Sequence, residues 1–436
     1  MGISKSDAVN IVGGGAFGLS TALHLSLQGY TNITVFEQDN IPSGYSAAND
    51  INKILRAEYE DPFYTALAVK ALSAWKTPLF APHFHQTGFL HCISGQAPEK
   101  AIGTLKKFQA AAEGHSDIAT YLVPIRGKED IRRVCWQFDG PLPGWNGYFN
   151  RYDGYAHSAN ALIAVFRATQ ARGVRFLLGE SGAVDEVVYQ NTPSGRRSSG
   201  VRTKDGKFHP ASLVIVAAGA AATKLVPEIG TEVVAKSWSV AHVHLTDDET
   251  SALRGIPVTY ARDLGFFFEP DPKTNLLKLC PMGGGYVNTD PSTGLSLPPL
   301  SLSDSSFLPE EDELRLRKLL QQTLPSLAER PFVRKSLCWF ADTSDSDFIV
   351  DYVPQTSDSV ILLSGDSGHG FKMFPIVGRW IVDLLESPAG CQEVTRWRWR
   401  TPKPEAKSPD WGGDVSWRLG DTKEFAEVRR PATSKL

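Results

Sequence analysis

A glycine-rich turn close to the N-terminus constrains the fold more than any other feature of the sequence. Residues 13–18 read Gly-Gly-Gly-Ala-Phe-Gly, directly after the apolar run 8–12. They lead into residues 16–28, which carry apolar side chains at helical spacing, and a second apolar run follows at 33–36. A strand, glycines, a helix and a strand within about 30 residues are typical of a βαβ unit of the Rossmann type. The helix N-terminus of such a unit faces an anion.

The glycines have separate predicted roles. Gly13 permits the tight turn, Gly15 lets the backbone approach a pyrophosphate, and Gly18 lets the helix pack closely against the strand. Glu37 closes the second strand, 19 residues after Gly18. A carboxylate there accepts both ribose hydroxyls and disfavours a cofactor with a 2′-phosphate. The turn predicts a dinucleotide but does not by itself choose between FAD and NAD.

Later segments of the chain are of two kinds. Apolar runs at 213–217 and 360–363 predict further buried strands of the same parallel sheet, and residues 174–178 and 184–189 are also expected to form strands. Residues 239–245 and 265–269 alternate apolar and polar side chains, as half-buried antiparallel strands do. The Rossmann parts are therefore expected to be discontinuous in sequence.

We predict a mixed fold, α/β plus α+β, with a discontinuous Rossmann-type domain and a mainly antiparallel β-sheet substrate domain. The dinucleotide domain is assigned residues 1–82, 151–224 and 337–400, the substrate domain 83–150 and 225–336, and a polar C-terminal tail 401–436. We expect that tail to extend over the surface. A ligand cavity is expected at the interface of the two domains.

Composition excludes several classes of protein. The 436 residues carry a formal charge of −3 without a long basic run, which argues against nucleic acid as a partner. No apolar stretch reaches the roughly 18 residues that a membrane helix needs. The five cysteines are scattered without a CxxC pair, so neither disulfides nor a metal site is expected.

The sequence ends in Ser434-Lys435-Leu436. At a free C-terminus this tripeptide is the peroxisomal import address, read by the import receptor. We therefore expect a peroxisomal protein.

Several segments along the chain resemble a known family. Residues 365–372, Gly-Asp-Ser-Gly-His-Gly-Phe-Lys, and 337–339, Leu-Cys-Trp, resemble signature segments of the sarcosine oxidase and fructosyl amino acid oxidase (amadoriase) family. Residues 49–53, 143–149 and 265–270 resemble the fungal fructosyl amino acid oxidases. The resemblance covers the chain up to about residue 400, and the family also includes saccharopine and pipecolate oxidases.

The resemblance implies FAD as the cofactor, bound covalently through its 8α-methyl group to the sulfur of Cys338. The alternative for Cys338 is a buried structural cysteine. The position of the glycine turn and the strand end at Ala217-Ala218-Gly219 also favour FAD. The residues expected to contact FAD are Gly13, Gly15, Ala16, Phe17, Gly18, Glu37, Ser46, Asn52, Lys53, Val184, Ala218, Gly219, Cys338, Asp366, Gly368, His369, Gly370, Phe371 and Lys372.

The resemblance also implies roles for four cations. Arg56 and Lys372 match residues that hold the substrate carboxylate from two sides, and an arginine fork suits a carboxylate. The alternative for Arg56 is a surface ion pair with a neighbouring glutamate. Lys278, a charge within an apolar strand, matches the lysine that helps electrons pass to O₂, and Lys53 is the second candidate for that role.

One departure from the family bears on the substrate. Fructosyl amino acid oxidases follow the Lys-x-Cys run with an acidic pair, whereas Cys280 is followed here by Pro281-Met282-Gly283. Arg56 is also an addition that many amadoriases lack. Both changes favour a secondary amino acid such as saccharopine, pipecolate or an N-methyl amino acid over a fructosyl substrate.

The expected reaction is hydride transfer from the carbon beside nitrogen to the flavin, hydrolysis of the imine, and reduction of O₂ to H₂O₂. The amine must be neutral to react, and the sequence offers no obvious base. The alternatives are a fructosyl amino acid oxidase, a flavin dehydrogenase that uses a protein acceptor, and a non-catalytic flavin- or NAD-binding scaffold. We expect a monomer that binds only the small amine, O₂ and the import receptor.

Overall fold

The structure is a computed structural model that describes residues 3–193, 195–401 and 415–429. Its strands are β1 (Val9–Val12), β2 (Ile33–Glu37), β3 (Lys53–Leu55), β4 (Phe84–His85), β5 (Phe89–Ile93), β6 (Leu122–Ile125), β7 (Asn146–Asn150), β8 (Gly154–Ala156), β9 (Arg175–Leu178), β10 (Val184–Thr192), β11 (Gly195–Thr203), β12 (Phe208–Pro210), β13 (Leu213–Val216), β14 (Val234–His244), β15 (Val258–Ala261), β16 (Gly265–Phe267), β17 (Leu276–Pro281), β18 (Tyr286–Val287), β19 (Phe332–Asp342), β20 (Ile349–Tyr352), β21 (Val360–Ser364) and β22 (Lys423–Glu424).

Helices occupy much of the sequence between these strands. They are α1 (Ala16–Leu27), α2 (Pro62–Trp75), α3 (Glu99–Glu113), α4 (Ser116–Ala119), α5 (Lys128–Val134), α6 (Ser158–Ala171), α7 (Ala222–Leu225), α8 (Asp247–Ala252), α9 (Glu310–Thr323), α10 (Val377–Leu385) and α11 (Phe425–Val428).

The first sheet has six strands in the order β20-β21-β13-β1-β2-β9. All neighbours are parallel except β20 and β21, which are antiparallel. Every residue of β1 is buried, as expected for a strand covered by helices on both faces of a sheet. Helix α1 packs beside α6 and α10 on one of these faces. This sheet has the discontinuous Rossmann arrangement predicted from the sequence.

A ten-stranded, mostly antiparallel sheet forms the second layer. Its order is β22-β18-β14-β17-β16-β15-β5-β7-β6, and β19 also pairs with β14. Strand β19 starts at Phe332 and ends at Asp342, so it spans the domain boundary that we placed between residues 336 and 337. The mixed α/β and antiparallel fold class is confirmed.

The predicted surface course of the C-terminal tail is wrong for residues 415–429. Arg418 is buried and binds Asp342 and the Thr343 carbonyl oxygen, and Phe425 is also buried. Strand β22 adds to the ten-stranded sheet beside β18. The apolar and aromatic side chains of this segment have no periodicity that would have revealed their packing. Residues 402–414 and Ser434–Leu436 lie outside the described residues.

Candidate functional site

One cavity of about 770 Å³ joins the carboxyl ends of the parallel strands to the second sheet. Its volume is within the range of sites for cofactors and small molecules. Of the predicted site residues, all line it except Gly18, Asn52 and Val184. Val184 begins β10 in a separate three-stranded sheet, so the position gives no support to its assignment as a cofactor contact.

Gly13 and Gly18 allow the close packing at the cofactor end of the cavity. Gly13 has φ +112°, and a Cβ there would lie 2.3 Å from the Ala217 carbonyl oxygen. A Cβ at Gly18 would lie 1.8 Å from the Gly13 carbonyl oxygen. Gly18 therefore acts through packing of α1 on β1 and not by contact with the cavity.

The residues at this end fit a dinucleotide. A Cβ on Gly15 would meet only the Ser46 side chain, so the α1 N-terminus is open to the cavity and its amides can face a pyrophosphate. The buried Glu37 carboxylate accepts hydrogen bonds from the Gly14 and Asp39 amides at 2.8 and 3.2 Å. Burial raises the pKa of Glu37, and the Gly14 amide partly offsets this effect. These bonds fix the carboxylate beside the place where a ribose would lie.

Cys338 lies in the middle of the cavity on β19, opposite Trp238 of β14. Its Sγ is 4.0 Å from Nζ of Lys53 and 3.8 Å from the Ala47 carbonyl oxygen. The side chain is partly exposed, so the thiol is accessible from the cavity. The neighbouring loop is fixed by Asp366, whose carboxylate accepts the Ala341 and Gly368 amides. Burial raises the pKa of Asp366 to about 6.

Lys278 and Lys53 share one carboxylate. Nζ of Lys278 donates to Oδ2 of Asp50 at 2.5 Å and to the Asn52 carbonyl oxygen at 2.8 Å, while Nζ of Lys53 donates to the same Oδ2 at 2.9 Å. Burial opposes charge on Asp50, but the two lysines outweigh it and hold its pKa below the usual range. The two predicted oxygen-reactive lysines therefore form one charged cluster.

Arg56 and Lys372 meet at a buried tyrosine that sequence reasoning missed. The Arg56 guanidinium carbon lies 4.4 Å from the ring centroid of Tyr59 and 4.6 Å from that of Phe108. Nζ of Lys372 lies 2.6 Å from the Tyr59 hydroxyl oxygen. Arg56 donates to the backbone oxygen of Glu58, so it does not form the surface ion pair that was its alternative. Both cations line the same cavity.

Both ring nitrogens of His369 are engaged in hydrogen bonds, so His369 does not act as a base. Its Nε2 lies 2.9 Å from the Ser346 carbonyl oxygen, which can only accept, so Nε2 carries the hydrogen. Its Nδ1 then accepts from the Tyr59 hydroxyl at 2.9 Å. Burial, together with Lys372, keeps the pKa of His369 well below its ordinary value. The imidazole therefore orients Tyr59 as a neutral acceptor.

Two buried carboxyl groups lie behind Arg56. Glu58 accepts from the Tyr148 hydroxyl at 3.0 Å, and Asn150 donates to both Glu58 and Asp153. Asp153 also accepts the Ala57 amide. Burial, followed by repulsion from Glu58, raises the pKa of Asp153 well above its usual range. The Asp153 carboxyl group is therefore biased toward its neutral form.

Sequence reasoning also missed Trp417, which lines the cavity from the C-terminal segment. Its ring lies 6.2 Å from Tyr59 and 5.9 Å from His369, measured between centroids. Within the ranges that the structure describes, no cluster of side chains could hold a metal ion and no helix could cross a membrane.

Comparisons with known proteins find similar chains over most of the sequence. A family model described as FAD dependent oxidoreductase matches residues 8–384. L-saccharopine oxidase of Schizosaccharomyces pombe is 33% identical over 432 residues, covering 95% of this chain and 96% of that protein. Monomeric sarcosine oxidase of an Arthrobacter species is 25% identical over 393 residues, covering 88% and 93%. The structure of fructosamine oxidase (Amadoriase II) from Aspergillus fumigatus aligns with a TM-score of 0.86 at 32% identity, covering 98% and 97%.

Proposed function

The chain belongs to the family of FAD dependent oxidoreductases, and from this premise we propose which amine it oxidises and how its residues hold that amine. The protein is an FAD-dependent oxidase of secondary amino acids that uses oxygen as acceptor. When bound, FAD supplies the acceptor for the hydride from the carbon beside nitrogen and passes the electrons to O₂. The protein residues bind, orient and supply charge.

The observation that carries the proposal is the convergence of Arg56 and Lys372 on Tyr59 inside the cavity that also contains Cys338. The two cations hold the substrate carboxylate, with a guanidinium fork on one side and an amine on the other. Held in this way, the substrate would be oriented in the same cavity as the FAD. Lys278, held by Asp50, would supply the positive charge that stabilises O₂ as it accepts electrons.

A saccharopine-like substrate suits the charge of the cavity. The wall carries six basic residues, Lys53, Arg56, Lys278, Arg334, Lys335 and Lys372. It carries three acidic residues, and these are already engaged: Glu37 and Asp366 by backbone amides, and Asp50 by lysines. Three of the cations are engaged as well, because Lys53 and Lys278 share Asp50 and Lys335 pairs with Glu313. A secondary amine with several carboxylates matches the remaining three, Arg56, Arg334 and Lys372. The similarity to L-saccharopine oxidase supports the same substrate class.

A fructosyl amino acid is the second candidate, because the Amadoriase II structure covers 98% of this chain. Measuring H₂O₂ release from saccharopine, pipecolate, N-methylglycine and fructosyl-valine separates the two. We expect saccharopine to give the highest kcat/KM. Faster turnover of fructosyl-valine than of the other three amines would overturn the proposal.

Covalent attachment of FAD through Cys338 is part of the same proposal. Its support is the accessible Cys338 thiol inside the cavity, with the Lys53 nitrogen 4.0 Å from its sulfur. Acid precipitation should leave yellow colour in the protein pellet, and Cys338→Ser should release it to the supernatant. Cys280→Ser is the matched control, because that thiol also lines the cavity but is buried.

We also propose a peroxisomal location for the enzyme. The support is the tripeptide Ser434-Lys435-Leu436 and the H₂O₂ product, which peroxisomes tolerate. A fluorescent protein fused ahead of the enzyme should enter peroxisomes, and removal of the three residues should leave it in the cytosol. Import without the tripeptide would contradict the proposal.

A further inference from the structure

The reaction needs an acceptor for one proton. A secondary amino acid enters as an ammonium at neutral pH, whereas only the neutral amine can lose hydride. This question rests on the proposed function, because it concerns how the amine of that substrate becomes neutral. The sequence pointed to no base, and His369 is already committed to Ser346 and Tyr59.

The hydrogen bonds of Lys372 use two of the three positions around its Nζ atom. The Tyr59 hydroxyl hydrogen goes to His369, so the Tyr59 oxygen accepts from Nζ at 2.6 Å. The His369 carbonyl oxygen is the other partner, at 2.9 Å, and it too can only accept. Two hydrogens on Nζ satisfy both partners. The third position on nitrogen is either a hydrogen without a partner or a lone pair.

The charges that face Lys372 favour the lone pair. The side chain is 4% exposed, and within the described residues it has no carboxylate at ion-pair distance. The Arg56 guanidinium shares the Tyr59 ring with it. Burial and then Arg56 hold the pKa of Lys372 well below its ordinary value. Asp153 and Glu58 oppose this effect only in part.

We propose that Lys372 is the base that takes the proton from the substrate ammonium. The N–H bond of the ammonium breaks, its electron pair stays on the amine nitrogen, and a new N–H bond forms on Nζ. The products are a neutral secondary amine and a Lys372 ammonium, so the total charge is unchanged. No oxidant or reductant takes part in this step.

The substrate itself supplies the counter-ion that Lys372 lacks. When the carboxylate lies between Arg56 and Lys372, its negative charge stabilises the ammonium of Lys372 and so raises the pKa of that side chain. Binding therefore makes Lys372 basic enough to accept the proton from the neighbouring nitrogen. One side chain thus both neutralises the amine and holds the carboxylate.

Proton uptake on binding a carboxylate tests this step without turnover. The probe is the thioether analogue of N-methylglycine, which has the carboxylate but no amine. Changes in the flavin absorption spectrum measure its binding to the holoenzyme. In weakly buffered solution above pH 8, the wild type should take up about one proton per bound probe. Lys372→Arg and Lys372→Met should take up none. Binding of the probe to the wild type without proton uptake would overturn the proposal.

The pH dependence of anaerobic flavin reduction tests the same residue during chemistry. Lys372→Arg keeps a cation for the carboxylate but cannot accept a proton. Its reduction rate should fall about tenfold per pH unit below the pKa of the amine and approach the wild-type rate above it. Arg56→Lys is the matched control, with weaker binding but a wild-type pH profile.

The possible failures are distinguishable. Identical pH profiles for the wild type and Lys372→Arg would show that the proton goes elsewhere, although the proposed function would stand. If no secondary amino acid bleaches the wild-type flavin, the proposed function itself fails.

Discussion

Two buried lysines in one cavity have opposite electrostatic surroundings. Lys278 shares the Asp50 carboxylate with Lys53, whereas Lys372 donates to a hydroxyl and a carbonyl oxygen and has no ion pair with a carboxylate among the described residues. The side chains are similarly buried, with 1% and 4% exposed. Burial alone therefore does not set the chemistry of a lysine, since the presence of a counter-ion decides whether it is a fixed charge or a base.

The contrast matches two halves of one reaction. A fixed cation is needed where negative charge develops as oxygen is reduced. A neutral amine is needed where a proton must be accepted. Substitutions that remove the charges and hydrogen-bond partners around each lysine should therefore affect different steps.

Replacing Asp50 by Asn should have the largest effect, because it leaves two ammonium groups without their carboxylate. Removal of one partner from a buried ion pair costs about 3–5 kcal/mol. We expect the melting temperature of the holoenzyme to fall sharply, as measured by the loss of flavin and tryptophan signals. Lys53 and Lys278 would then lack a carboxylate counter-ion, as Lys372 does.

The control for this variant is Asp185→Asn, which removes an acid from an exposed ion pair with Lys224 at 3.0 Å. Such pairs contribute less than about 1 kcal/mol. Equal melting temperatures for the two variants would contradict the proposed importance of Asp50.

Lys278→Met should slow reoxidation of the reduced enzyme by O₂ about 100-fold, because it removes the fixed cation. Flavin reduction under anaerobic conditions should change much less. Rapid mixing with oxygenated buffer measures the first rate. Lys335→Met is the control, since Lys335 also lines the cavity but pairs with Glu313 at 3.3 Å. Unchanged reoxidation would exclude Lys278 from the oxygen reaction.

Arg56→Gln should weaken binding of the thioether carboxylate by about 2 kcal/mol, or roughly 30-fold in Kd. It should also raise the pKa of Lys372, because the like charge of Arg56 contributes to lowering it. The pH at which proton uptake becomes complete should therefore move upward. A downward movement would show that Arg56 does not influence Lys372 as described.

Tyr59→Phe should have the smallest effect, about 1 kcal/mol, because it keeps the ring beneath Arg56 and removes only the hydroxyl. We expect a rise of a few-fold in the Kd of the carboxylate. The control is Tyr64→Phe, which loses a buried hydroxyl bonded to Asp347, outside the cavity. If both variants bound the carboxylate as the wild type does, Tyr59 would have no positioning role.

Local patterns accounted for the cofactor end of the molecule. The glycines of residues 13–18 and the strand before them are adjacent in sequence, so their spacing reflects one turn and one helix start. The parallel strands β13 and β21 were recognisable because each contains at least four consecutive apolar residues. Periodicity is a property of a segment, and these features lie within single segments.

The substrate end depended on contacts that no segment contains. Asp50 and Lys278 are 228 positions apart, and Tyr59 and Lys372 are 313 apart. The family resemblance identified the cations Arg56, Lys278 and Lys372, but it did not identify Asp50 or Tyr59, which contact them. Trp417 was missed because it lies in a polar tail that folds back without periodic apolar side chains. The sequence could therefore indicate which charges matter, but their protonation depends on the fold.

The central claim is that Arg56 and Lys372 hold the carboxylate of an amino acid while its amine reduces the flavin. The most direct test is anaerobic bleaching of the holoenzyme by the best secondary amino acid substrate and by its carboxamide, which lacks the negative charge. We predict that the amino acid bleaches the flavin and that the carboxamide does so at least about 100-fold more slowly. Equal bleaching by the two compounds would contradict the account.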